Sequence, residues 1–199
     1  MRLRGVLVIE WRDVGKQFGR RRLFSGISGA LEPGRSLVVT GPNGSGKSTF
    51  LRLLAGLARP DAGVVLRPDP PFSIGYASPD LATYGELTGR ENLEFFRNIR
   101  GGGVDSASLL DRFGLSKAAN RAVAHYSSGM RQRLKLAVAI AHEPDALLLD
   151  EPTLALDADG IALVDAIVAD FVEAGKCIAI ATNDASEAAR WGTAKLDLR

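Results

Sequence analysis

The stretch Gly41-Pro42-Asn43-Gly44-Ser45-Gly46-Lys47-Ser48-Thr49 constrains this chain more than any other. An apolar run, Leu37-Val38-Val39, precedes it and reads as a buried strand. The run from Phe50 to Leu57 follows and reads as an amphipathic helix. Strand, glycine-rich turn and helix together form the setting in which backbone N–H groups cradle a phosphate. Gly41, Gly44 and Gly46 carry no Cβ, so the backbone can curl and turn its N–H groups towards an anion. The helix start adds the positive end of its dipole. Lys47 can reach outer phosphates, and the Ser48 hydroxyl suits a hard Mg²⁺ ion. These residues predict nucleotide binding.

Composition narrows the remaining classes. The 199 residues suffice for one large domain, and 46% hydrophobic with 24% charged residues fits a globular core. A net charge of +2 gives no argument for nucleic acid. Arg20, Arg21 and Arg22 read as a solvated turn. Cys177 is the only cysteine, so no internal disulfide can form, and its apolar neighbours mark it as an inert core thiol. No apolar run approaches the about 18 residues of a membrane-spanning helix. The N-terminus lacks the pattern of a signal peptide. A cytoplasmic protein is expected, with any membrane role exercised through a partner on the inner face of the cell membrane.

Along the chain, Val6 to Ile9 reads as a strand, residues 15–19 as a turn carrying Phe18, and residues 23–27 as a second short strand. Pro33-Gly34 marks a turn before the central strand at residues 36–40. Further strands are expected at residues 64–66 and 72–76. The middle of the chain is mainly helical, from about residue 80 to 142. Thr88 and Glu91 have capping-box spacing, and Leu93, Phe95, Phe96 and Ile99 form an apolar face behind them. A short helix is expected at residues 107–113, and a long one after Ser127. The run Ala146-Leu147-Leu148-Leu149 then reads as a fully buried parallel strand ending in Asp150-Glu151. A helix at residues 159–174, a buried strand at 177–181, a helix at 184–190 and an edge strand at 194–198 complete the reading.

In open parallel sheets, ligands sit outside the carboxyl ends of the strands, where Thr40, Glu151 and Thr182 all fall. Asp150 there can hold Mg²⁺ through water, and Glu151 can polarise a water for attack on a γ-phosphate. Tyr126-Ser127-Ser128-Gly129-Met130 places small residues at a helix start, which suits an anion.

The order of these pieces resembles the nucleotide-binding domain of ABC transporters, over about residues 6–198. GPNGSGKST matches the family's Walker A motif residue for residue. Ser127-Ser128-Gly129-Met130 is similar to its signature motif, with Tyr126, Ser128 and Met130 replacing the usual Leu, Gly and Gln. Residues 147–151 match Walker B with its catalytic glutamate. Leu154-Ala155-Leu156-Asp157 resembles the D-loop, and Phe18 matches the aromatic that stacks on adenine. The resemblance implies an α/β fold, a P-loop NTPase core with mainly parallel sheet, N-terminal antiparallel strands and an inserted helical subdomain, in a single domain spanning residues 1–199. It implies ATP and Mg²⁺ as ligands, and a head-to-tail pair of ATPase subunits in which Ser127 and Gly129 act in trans, with Ser128 between them also a nucleotide-binding candidate. It also implies integral-membrane transporter subunits as partners. Two positions depart from the family. Pro79, followed by Asp80, stands where a glutamine is usual, and Asn183 stands where a histidine is usual. Asn183 can still donate a hydrogen bond to a γ-phosphate but cannot become cationic. The compact chain and residues 84–93 resemble short exporter ATPases, including that of the cytochrome c-type haem exporter. A soluble ABC-type ATPase and a weakly catalytic ATP-binding module are the alternatives.

Overall fold

The computed structural model describes residues 8–198. Val6 and Leu7 of the expected first strand lie outside that range. Two sheets carry the fold. The smaller is antiparallel and pairs β1 (Ile9–Phe18) with β2 (Arg21–Leu31) on one side and β4 (Ala62–Leu66) on the other. The larger is wholly parallel, in the order β5 (Ile74–Ala77), β6 (Ala146–Asp150), β7 (Cys177–Ala181), β3 (Ser36–Thr40), β8 (Ala194–Asp197).

The continuous apolar runs are explained by helices on both faces of this sheet. Along β6, Leu147 and Leu149 join one core, with Ile178 and Ile180 of β7 and with α5 (Ala158–Glu173). Ala146 and Leu148 point the other way, into a second core with α1 (Lys47–Ala55). Period-2 alternation therefore delivers leucine to both sides, each fully buried leucine contributing roughly 1.5–3 kcal/mol. The antiparallel sheet closes over the α1 face, where Phe50 meets Trp11 and Phe24 edge-on, at 5.2 and 6.1 Å between ring centroids.

Between β5 and β6 the chain is helical: α2 (Gly89–Ile99), α3 (Ser106–Arg112) and α4 (Ser128–Ile140). The capping box is present as expected. The Thr88 hydroxyl accepts from the Glu91 N–H at 3.2 Å, and the Glu91 carboxylate accepts from the Thr88 N–H at 2.8 Å. The last helix, α6 (Ala185–Trp191), precedes the edge strand β8.

Three expectations need correction. Residues 15–18 are strand, not turn, because β1 runs on to Phe18 through irregular pairings around Asp13, whose φ is 49°. The second strand runs from Arg21 to Leu31, well beyond the short segment expected. Ile99 does not belong to the buried face of α2: it is 64% exposed, whereas Leu93 is fully buried.

Candidate functional site

The site grows from the C-terminal end of β3. All three loop glycines take positive φ, 146° at Gly41, 81° at Gly44 and 106° at Gly46. Two of them also lack room for a side chain. A Cβ on Gly41 would lie 2.3 Å from the Leu198 carbonyl oxygen, and one on Gly46 would lie 2.8 Å from the Phe24 ring. The loop delivers Lys47 as the first residue of α1. The N–H groups of such a first turn have no intrahelical acceptor and face outward along the axis.

Lys47 is 6% exposed. Its Nζ donates to the Gly41 carbonyl at 2.9 Å and to the Pro42 carbonyl at 3.4 Å, and lies 3.8 Å from Glu151 Oε1. Glu151 follows β6 directly and takes a φ of 47°. A non-glycine residue there carries strain on the order of 1 kcal/mol. The turn is held by the Glu151 N–H, which donates to the Ala181 carbonyl at 2.9 Å. Burial pushes the Glu151 carboxyl above the usual range, the Lys47 ammonium opposes this, and Asp150 adds to it. Asp150 is 2% exposed, and its Oδ1 has no hydrogen-bond partner among the described residues. Burial raises its carboxyl too, and the neighbouring Ser48 hydroxyl acts in the opposite direction. A buried, raised, half-satisfied carboxylate beside a hydroxyl is a donor set suited to a divalent cation.

The sheet order brings the far end of β7 alongside. Thr182 N–H donates to the Val39 carbonyl at 3.1 Å, so Thr40, Glu151 and Thr182 do share one sheet end. Asn183 touches the site in two ways. Its Nδ2 donates to Asn43 Oδ1 at 3.3 Å, and its backbone N–H helps lower the Glu151 carboxyl. Phe18 is 60% exposed, so it is not a core residue, and Lys16 Nζ stands 5.6 Å from its ring centre.

Ser127, Ser128 and Gly129 are elsewhere. Ser127 caps α4, accepting from the Met130 N–H at 3.2 Å, and Ser127 and Ser128 are exposed. Among the described residues, no hydrogen bond joins these three to the loop at residues 41–49. Their helix is tied instead to the turn after Glu151, through Gln132 Nε2, which donates to the Pro152 carbonyl at 2.9 Å. Gly129 lies against the same turn, where a Cβ would meet the Ala155 carbonyl oxygen at 3.0 Å. Asp80 is paired with Arg52 at 2.8 Å. Its carboxylate is thus engaged by the helix of the phosphate loop.

Two contributors escape the sequence reading. Glu187 is 9% exposed and accepts from the hydroxyls of Thr182 and Thr153, bracing the strand end behind Glu151. Only its capping-type spacing from Asp184, which caps α6, could have pointed to it. Arg21, read as part of a solvated turn, donates from Nη2 to the Gly44 carbonyl at 2.9 Å. A contact between residues this far apart has no local signal.

Comparison with known proteins agrees with this geometry. The ABC transporter family matches residues 24–154. This chain belongs to the ABC transporter ATP-binding family. It is 36% identical over 168 residues to a cytochrome c biogenesis ATP-binding export protein, CcmA, of Hyphomonas neptunium, covering 84% of this chain and 86% of that one. It is 41% identical over 172 residues to the protein of the same name from Nitrobacter winogradskyi, covering 83% and 86%. A bacterial ABC transporter cassette solved as a dimer, MJ0796, superposes with a TM-score of 0.84 at 25% identity, covering 96% of this chain and 94% of that one. The same cassette is known in a post-hydrolysis state with ADP and Pi. The family member described here is accordingly a transport-associated ATPase subunit that binds and hydrolyses ATP.

Proposed function

We propose that this subunit powers export through separate integral-membrane subunits, working as a head-to-tail pair with two ATP molecules between the copies. The observation that carries the reading is the split between two half-sites. Lys47, Ser48, Asp150, Glu151 and Asn183 gather at one sheet end, whereas Ser127 and Ser128 stand exposed, with Gly129 half-buried beside them, at the start of a separate helix. A second copy, rotated by a two-fold axis, would bring each half to the other.

In this reading, Phe18 stacks on adenine and the N–H groups of residues 41–49 hold the phosphates. Lys47 exchanges its carbonyl partners for phosphate oxygens. Ser48 and Asp150 would hold Mg²⁺, which when bound neutralises phosphate charge. Glu151 accepts a proton from the attacking water, and Asn183 orients that water or the γ-phosphate from the side. Ser127, Ser128 and Gly129 of the second copy close the anion site with a hydroxyl and helix-start N–H groups.

Residues 80–142 are proposed as an inserted helical subdomain that docks on the membrane subunits. Its outer surface carries Tyr84 and Phe95, exposed and 4.9 Å apart between ring centres. No helix among the described residues is long and apolar enough to cross a membrane. Position on the inner face of the membrane would therefore come through those partners. The relatives' names point to cytochrome c biogenesis and to export. Affinity capture from membrane extracts tests the proposal. A multi-span protein should co-purify, whereas recovery wholly in the soluble fraction without one would favour a soluble ABC-type ATPase.

A further inference from the structure

The hairpin of β1 and β2 reaches the phosphate loop at two points. Phe24 and Leu23 lie beneath Gly46, where an added Cβ would meet the Phe24 ring at 2.8 Å and Leu23 Cβ at 3.2 Å. Three residues earlier, the Arg21 guanidinium lies over Gly44. Its Nη2 donates to the Gly44 carbonyl at 2.9 Å, and a Cβ on Gly44 would come within 3.0 Å of the same nitrogen. Arg21 is the cross-strand partner of Phe18 at the turn end of the hairpin. Both are exposed.

The chemistry of this contact is specific. Gly44 has a φ of 81°, a conformation that glycine alone enters cheaply, so nothing intrinsic to the residue fixes the loop there. An external donor on its carbonyl does. Guanidinium offers five N–H groups in a rigid fork, and the Gly44 carbonyl uses one of them. Among the described residues no carboxylate pairs with Arg21 and no other hydrogen bond engages it. An unneutralised cation therefore stands beside the loop that takes the phosphates.

We propose that Arg21 is a positioning residue for nucleotide binding: it fixes the Gly44 turn of the phosphate loop through its carbonyl and adds positive charge beside the bound phosphates. This rests on the assignment of residues 41–49 as the ATP site. Arg21 is far from Glu151 in role, because it shapes the loop that receives ADP and ATP alike and offers nothing to the attacking water. Its removal should weaken both nucleotides together and leave turnover at saturation almost unchanged. A charged hydrogen bond at an exposed position sets the scale at about 5- to 10-fold in affinity.

The test is Arg21→Ala beside Arg21→Lys in the full chain, with ATP and ADP binding by calorimetry and steady-state kinetics. Arg21→Ala should raise the Kd of both nucleotides and the KM for ATP about 5- to 10-fold, with kcat within about twofold. Arg21→Lys should recover most of the loss, since it keeps a donor and the charge. Thermal denaturation should be nearly unchanged, as befits an exposed side chain. Unaltered affinity for both nucleotides in folded Arg21→Ala would overturn the proposal. So would a fall in kcat at constant affinity, or a weakening of ATP alone. Failure of the underlying ATP-site assignment would look different: the wild-type chain itself would not bind nucleotide.

Discussion

Lys47 Nζ and Glu151 Oε1 stand 3.8 Å apart, with the ammonium also bonded to the Gly41 and Pro42 carbonyls. The cation of the phosphate loop and the carboxylate next to the buried strand are thus already neighbours. The loop carbonyls alone would not compensate a missing phosphate-facing charge. Lys47→Ala should therefore abolish ATP binding at physiological concentrations, read by calorimetry. Wild-type affinity in that variant would remove the loop from nucleotide binding.

Glu151→Gln keeps the shape of the site and removes its basicity. ATP binding should persist while hydrolysis slows by at least ~100-fold, the scale of losing one catalytic group. The ATP-bound variant should also accumulate as a dimer in gel filtration. Normal turnover would exclude Glu151 from proton transfer.

Asp150 and Glu151 give a stability prediction with a definite sign. Burial raises both carboxyls above their unfolded range. The folded state therefore holds these protons more tightly than the unfolded chain. Their stabilising contribution is complete below the unfolded value, about 4, and is lost as pH rises through the raised folded value. At neutral pH, Asp150 ionised without metal is a burden. Asp150→Asn, measured without nucleotide or Mg²⁺, should raise Tm at neutral pH, a gain on the order of 1 kcal/mol appearing as roughly 2–4 °C. The gain should shrink near pH 4. A lower Tm at neutral pH would show that the Asp150 charge is well compensated within the protein.

Asn183 stands where the resemblance to the family implies a histidine. Its amide reaches Asn43 of the phosphate loop at 3.3 Å, so it stands where a histidine could contact phosphate. A neutral amide forgoes a charge-assisted hydrogen bond, a deficit of ~1–2 kcal/mol, or roughly 5- to 30-fold in rate. The isolated subunit should be a slow ATPase, and Asn183→His should raise kcat with ATP affinity nearly unchanged. An unchanged or lower kcat in a folded variant would assign Asn183 to fixing Asn43 instead.

Where sequence alone succeeded, the physical cause is local. The phosphate loop is a contiguous motif, and β6 and β7 are buried on both faces, so their runs are uniformly apolar. Cys177 in β7 fits its inert reading: its Sγ lies 3.5 Å from the Leu31 carbonyl oxygen, and burial pushes the thiol up to about 11. Where it fell short, the cause is tertiary. Residues 15–18 have no alternating pattern and become strand by pairing with both β2 and β4. The roles of Arg21 and Glu187 depend on partners, Gly44 and Thr153, that only the folded sheet brings near. Pro79 offers no side-chain ligand where the resemblance implies a glutamine, and the sequence left open whether Asp80 replaces it. Its contact with Arg52 is visible only in the folded chain.

The most direct measurement of the shared site mixes two disabled variants. Lys47→Ala spoils the phosphate loop and leaves Ser127 and Gly129 intact. Gly129→Asp places a carboxylate at the helix start and leaves the loop intact. Each alone should be without ATPase activity. In the mixture, a mixed pair joins one intact loop to one intact Ser127–Gly129 helix start. Random pairing should then restore about a quarter of wild-type activity. A mixture no more active than its two components, or full activity in Gly129→Asp alone, would contradict a site built from two copies of this chain.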